Sequence, residues 1–113
     1  MAEDWSDIEV EVIVEDYFKM LLDEIAGKPF NKTEHRRKGA PLLNSRSEGS
    51  IEFKHQNISA VLCKLNQPYI SGYKPRWNYQ GALETKVVNY LERHSELETI
   101  FAKDAIEPIE IEP

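Results

Sequence analysis

The sequence predicts an all-α domain, a bundle of four to five helices containing a helix-turn-helix-like unit. Apolar residues recur at helical spacing through three long segments, and no stretch outside the C-terminal tail alternates as a strand would. The middle of the chain reads as a short helix, a turn and a longer helix with a polar outer face, which is the order of a helix-turn-helix unit. With 113 residues the chain is long enough for one domain with its own core. Residues 1–103 are expected to form that domain. Residues 104–113 alternate acids, isoleucines and prolines and read as a tail or linker, as at the front end of a longer protein.

Met1 to Trp5 reads as frayed. Ser6-Asp7-Ile8-Glu9 is a capping-box pattern, with the Ser6 hydroxyl and the Glu9 carboxylate each satisfying an amide of the first turn. The helix it starts should run to about Ala26. Val10, Val14, Tyr17, Phe18, Leu21 and Ile25 form its apolar stripe. Gly27 is the expected stop, and Pro29 forbids continuation. Adjacent carboxylates such as Glu15 and Asp16 point apart on a helix, so a solvated face explains them better than acid/base work.

Asn31 opens a second, shorter helix over Lys32 to Ala40, with Glu34 at the capping-box position. It carries the densest cationic run of the chain, His35-Arg36-Arg37-Lys38. Phosphates are one use for such a run; pairing with the acids of the first helix is the other. Pro41 kinks or ends the helix, and Leu42 and Leu43 re-enter the core.

The third helix follows the turn at Asn44-Ser45. Ser47 is its expected N-cap. At about 100° per residue, Ile51, His55, Ile58, Leu62 and Leu65 share one face. The opposite face carries Phe53, Gln56, Asn57, Ala60 and Lys64. Amides can pair bidentately with adenine edges, and a small residue lets a helix approach bases closely. Gln56 and Asn57 are therefore the base-reading candidates; a solvated face is the alternative. His55 falls on the core side, as a structural histidine does. Glu52-Phe53-Lys54 mimics part of a metal-dependent nuclease motif, but it has helical periodicity and no acidic strand precedes it.

Asn66 should close this helix in a left-handed conformation. Gln67 to Gln80 is too rich in Pro and Gly for a helix. Its tyrosines and tryptophan alternate with Lys74 and Arg76, a pattern suited to stacking on bases and contacting phosphates, or to an extended loop sealing one end of the bundle. Tyr69 and Ile70 should pack inward. A fourth helix is expected from about Tyr79 to Arg93, with Leu83, Val87, Tyr90 and Leu91 inside. A last one should span about Glu96 to Ala102.

The charge is unevenly spread. Met1 to Gly27 holds nine acids and one base; Lys28 to Gln80 holds ten bases and three acids; Gly81 to Pro113 holds eight acids and three bases. A polyanion would be drawn by the basic middle, not by the overall charge of −6. That middle could equally neutralise the acidic first helix. The one cysteine, Cys63, excludes an internal disulfide and a thiolate cluster. The acidic N-terminus lacks a signal-peptide pattern, and no apolar run approaches a membrane span, so the expected location is the cytoplasm.

From Trp5 through Gln80 the sequence resembles the N-terminal helical module of bacterial restriction-type proteins, which precedes an HNH nuclease domain or another effector domain. The residues that carry the resemblance are Glu11-Val12-Ile13-Val14 with Tyr17-Phe18, Asn31-Lys32, His35-Arg36-Arg37, the run Arg46 to Leu62, and Gly72-Tyr73-Lys74-Pro75. The Arg-Ser-x-Gly-Ser-Ile to Asn-Ile portion is the most specific, and Gly39 departs from the pattern. The resemblance implies a DNA-reading or assembly role in restriction and phage defence, without catalysis by the module itself.

The expectation is thus a module binding double-stranded DNA, modified or unmodified, that positions a nuclease or other effector. Arg36, Arg37, Arg46, Lys54, Lys74 and Arg76 are the candidate phosphate contacts. No cofactor and no metal are expected, since no nucleophile, metal cluster or phosphate loop is visible. The alternative is a protein-interaction or dimerisation module in which Phe53 and Ala60 form part of the partner surface.

Overall fold

A computed structural model describes residues 5–29, 43 and 46–106 of the chain, the last three by backbone alone. Their regular structure is four helices: α1 Asp7–Ile25, α2 Glu48–Lys64, α3 Gly81–Arg93 and α4 Glu96–Ile106. No described residue is in a strand, so the all-α expectation holds. None of these helices is long and apolar enough to cross a membrane. The expected short helix over Lys32 to Ala40 lies outside the described residues, and with it the first half of the helix-turn-helix-like unit.

The caps form as the sequence implies. Ser6 Oγ accepts the Glu9 N–H at 3.1 Å while Glu9 Oε1 accepts the Ser6 N–H at 2.9 Å. At the other end of α1, Gly27 has φ +75°. Its N–H bonds to the Glu24 carbonyl and the Lys28 N–H to the Asp23 carbonyl, at 3.1 and 2.8 Å, which is a Schellman closure. A residue with a Cβ would be strained at that φ. The end of α2 repeats this geometry with Asn66 at φ 60°. There the Asn66 and Gln67 amides bond to the Cys63 and Leu62 carbonyls. Ser47 caps α2 by accepting the Ser50 N–H at 3.1 Å.

α1 packs on α2 and α3, and α2 packs on α3. Tyr17, Phe18, Leu21, Ile51, Ile58, Leu62 and Leu83 are all buried, as expected. Ile13 and Met20, outside the expected stripe, are buried as well, because α1 is covered from more than one side. Phe18 stacks on Tyr90 at 4.4 Å and faces Phe101 at 6.5 Å between ring centroids. These contacts seat α4 against the bundle. α4 continues to Ile106, past the expected end at Ala102 and across the expected boundary at residue 103. α3 starts at Gly81, two residues later than expected.

α2 is the central helix. Ile58, Ser59, Ala60, Val61 and Leu62 are five consecutive residues with no exposed surface. A helix is buried all round only when neighbours cover every side. Here those neighbours are α1, α3 and the segment 67–80, whose Ile70 and Tyr73 are buried in the same cluster. The expectation of an open outer face on this helix is corrected for Asn57 and Ala60, which are 1% and 0% exposed. Ala60 therefore cannot serve a partner surface. Besides Cys63 and Lys64 at its end, the part of α2 that reaches solvent is its first turns, with Phe53 the exposed large hydrophobic side chain there.

Candidate functional site

The side chain of Asn57 fixes the loop that crosses the start of α2. Its Nδ2 donates to the Arg76 carbonyl at 2.6 Å and lies 3.4 Å from the Asn78 carbonyl. The Arg76 N–H donates to the Gln56 carbonyl at 3.0 Å. Buried amides with their donors engaged in this way hold a backbone; they do not read bases from the outside. Asn57 is thus a positioning residue, and its assignment as a base reader is corrected.

Arg76 is held at the rim by this attachment. Its Nε donates to Gln56 Oε1 at 3.1 Å, and its guanidinium carbon lies 4.7 Å from the centre of the Phe53 ring. A guanidinium over an aromatic face is an attractive pair, and it leaves the remaining N–H donors of Arg76 to solvent. Lys74 is exposed on the same loop.

Arg46 is held differently. Its Nη2 and Nε donate to the two oxygens of Glu9 at 2.7 and 3.1 Å. The side chain is only 6% exposed. Its guanidinium carbon sits 4.6 Å from the Trp5 ring centre. The same carboxylate closes the capping box of α1, so one acid ties the chain before α2 to the start of α1. The hydrogen bond from Arg46, followed by that from the Ser6 amide, holds the Glu9 carboxyl down at about 2. A guanidinium committed to this bidentate pair and shielded from water is not an open phosphate contact, and that role is corrected for Arg46.

Lys54 shares the Trp5 ring, with Nζ 5.2 Å from its centre. Burial, and then the positive charge of Arg46, push the Lys54 ammonium below its ordinary value. Lys54, Lys74 and Arg76 have no carboxylate partner among the described residues. Two bases contrast with them, Lys64 pairing with Glu84 at 3.0 Å and Lys86 with Glu11 at 2.9 Å, whereas Lys28, Arg93 and Lys103 likewise have no ion pair among the described residues. Neutralisation of the acidic helices by the basic middle is thus real but incomplete.

Of the residues singled out above, Trp5, Arg46, Phe53, Lys54, Asn57 and Asn78 line an open groove of about 620 Å³. Gly49, Ser50, Phe53, Lys54 and Asn57 line it from one face of α2; Trp5 and Arg46 join Lys54; Asn78, Tyr79 and Gln80 complete it from the loop. Arg36 and Arg37 lie outside the described residues. Gln56 is partly exposed beside Arg76.

Four groove residues were given no site role by the sequence reading: Trp5, Gly49, Ser50 and Gln80. For Trp5 a signal existed. It directly precedes the N-cap Ser6, and Val10 stands four positions past that cap; an apolar pair so placed is a hydrophobic staple. Both pack against the core, so Trp5 is anchored where fraying was expected. His55 is buried as expected, its ring 4.7 Å from that of Tyr73 and 6.0 Å from that of Tyr17.

Comparison of the chain with protein-family models, with curated proteins and with solved structures gives no match.

Proposed function

We propose that this chain is a DNA-binding module that grips nucleic acid through the groove at the start of α2. The observation that carries the reading is the grouping of Lys54, Lys74 and Arg76, which have no carboxylate partner among the described residues, on the first turns of α2 and the loop attached there, in a protein of net charge −6. Phosphates are the ligands that cations grouped beside aromatic rings suit. The buried second half of α2 speaks against that helix lying along a major groove. Contact through its first turns and the 74–80 loop fits the geometry better. Gln56 is the remaining base-edge candidate, and the Arg36-Arg37 run would extend the phosphate contacts. Following the restriction-module resemblance, the module would place a nuclease or other effector on DNA.

A second reading has its own observation. Trp77 is 55% and Phe53 37% exposed, as on a surface that meets another protein. Anisotropy of a labelled duplex, titrated at low and moderate salt, separates the two. Salt-sensitive binding that weakens in Lys54→Ala supports the DNA reading. A folded protein that binds no duplex at low salt, yet gains mass with concentration, overturns it in favour of protein interaction.

A further inference from the structure

A duplex offers its phosphates on a convex surface, and contacting them needs no cavity. The groove beside Lys54 is concave, with a volume in the range of small-ligand sites. Its components are unequal in kind. Phe53 contributes an aromatic ring with Arg76 across it. Lys54 contributes a cation without a carboxylate partner among the described residues, set against Trp5. Gln80 stands at the N-cap of α3 but makes no capping bond with its side chain, which leaves the donor and acceptor of that amide available at the groove. The Tyr79 hydroxyl donates to Glu84 at 3.1 Å, so what Tyr79 offers a ligand is its ring.

We infer that the groove holds one unstacked nucleotide of the bound strand, its base against the groove-facing side of the Phe53 ring and its phosphate at Lys54. This rests on the DNA-binding reading and narrows it. Every base has a π-face that can stack on a ring or a guanidinium plane, and an amide such as that of Gln80 can pair with a base edge once the base has left its partner. A phosphate at Lys54 offsets two costs at once, the partial burial of an ammonium and its proximity to Arg46. A base still paired in a duplex cannot enter, so the groove selects DNA in which one base is mismatched, unpaired or extruded.

The test uses the whole chain and three DNAs of the same sequence: a matched duplex, a duplex with one unpaired central base, and the single strand. A fluorescent purine analogue occupies the central position. Free nucleoside monophosphate forms a fourth arm. The blocking variant is Gly49→Leu, because a Cβ at Gly49 meets nothing within 4 Å; circular dichroism and Tm verify that the variant is folded. Phe53→Ala, which removes a rim side chain already 37% exposed, is the second variant. The unpaired-base duplex should bind on the order of tenfold or more tighter than the matched one, with a change in analogue emission. Both variants should bring the ratio of unpaired-base to matched-duplex affinity down towards one, a readout that does not depend on how tightly either variant holds the matched duplex. Equal, salt-sensitive binding of both duplexes with unchanged emission overturns the nucleotide inference and leaves the DNA reading standing. Absence of binding to all three DNAs at low salt overturns the DNA reading itself. Binding of the free monophosphate alone, with no DNA bound, overturns the strand-borne ligand.

Discussion

The Tyr17 hydroxyl lies 2.6 Å from Ser59 Oγ, 42 positions away in the chain, and accepts the Ile70 N–H at 2.9 Å. One oxygen therefore joins α1, α2 and the loop that leads to the groove. Tyr17→Phe leaves the Ser59 hydroxyl and the Ile70 amide without this partner in the interior. The expected loss is about 1–3 kcal/mol, read from urea denaturation. Burial also pushes the Tyr17 phenol above its ordinary 10.0. The folded state thus holds this proton more tightly than the unfolded chain. That contribution is complete below pH 10.0 and is lost as pH rises above it towards the folded value. Tyr17→Phe should flatten this alkaline limb of the stability profile.

Ile58 has no exposed surface and sits where α2 is covered on all sides. Ile58→Ala should cost about 2–4 kcal/mol through lost transfer energy and the cavity left behind. A change below about 0.5 kcal/mol in denaturant unfolding would show that the site is not in the core.

Much of the fold was legible because local rules and tertiary packing agree. The Ser6–Glu9 box, the Ser47 cap and the left-handed Gly27 and Asn66 each follow from one or two residues. The site was less legible. Asn57 and Ala60 share a helix face with Phe53, and periodicity alone places all three outside. What buries the first two is the 67–80 loop and the neighbouring helices, and no period within α2 records those. Arg46 likewise reads as a free cation until the fold brings Glu9 to it across 37 positions. Lys54, Lys74 and Arg76 were found by composition, whereas their difference from the paired bases Lys64 and Lys86 is a tertiary fact.

The Glu9–Arg46 pair sets an acid limit. The Glu9 carboxyl is lowered from 4.5 to about 2 in the folded state, chiefly by Arg46. Its contribution is therefore complete above pH 4.5 and fades as pH falls towards about 2. Arg46→Ala should remove most of this acid-side dependence. It should also cost about 1.5–3 kcal/mol at neutral pH, because charge-assisted bonds to a shielded carboxylate are lost. A stability profile unchanged between pH 2 and pH 4.5 in the variant and wild type alike would refute the assignment.

Asn57→Ala should act at a distance. It frees the Arg76 and Asn78 carbonyls from Nδ2, at about 1–3 kcal/mol. The loop that presents Lys74 and Arg76 should then exchange its amide protons faster. If the groove binds DNA, affinity should fall for every duplex, because the phosphate contacts lose their placement. Asn57→Asp, of the same shape, should not rescue it, since a carboxylate cannot donate to two carbonyls. Loss confined to one preferred duplex would instead return Asn57 to base reading.

Arg76→Ala and Lys54→Ala should fail in different ways. Arg76 is exposed, with one side-chain hydrogen bond to Gln56 and a ring contact to Phe53, so its removal should leave stability within about 0.5 kcal/mol. As a rim phosphate contact its loss should weaken all duplexes alike and reduce the salt slope of binding by about 1. Lys54 is partly buried beside Arg46, and no carboxylate accompanies it among the described residues. Lys54→Ala relieves a like-charge contact in the free protein, so it should be neutral or slightly stabilising there, while still lowering DNA affinity. A variant that is firmer as a protein and weaker as a binder would mark a cation kept for a ligand and not for the fold. Unfolding curves and duplex titrations at two salt concentrations, run on both variants, measure the two quantities independently. If Lys54→Ala destabilises the protein and leaves the titration unchanged, the ammonium belongs to the scaffold and the groove loses its anion-binding centre.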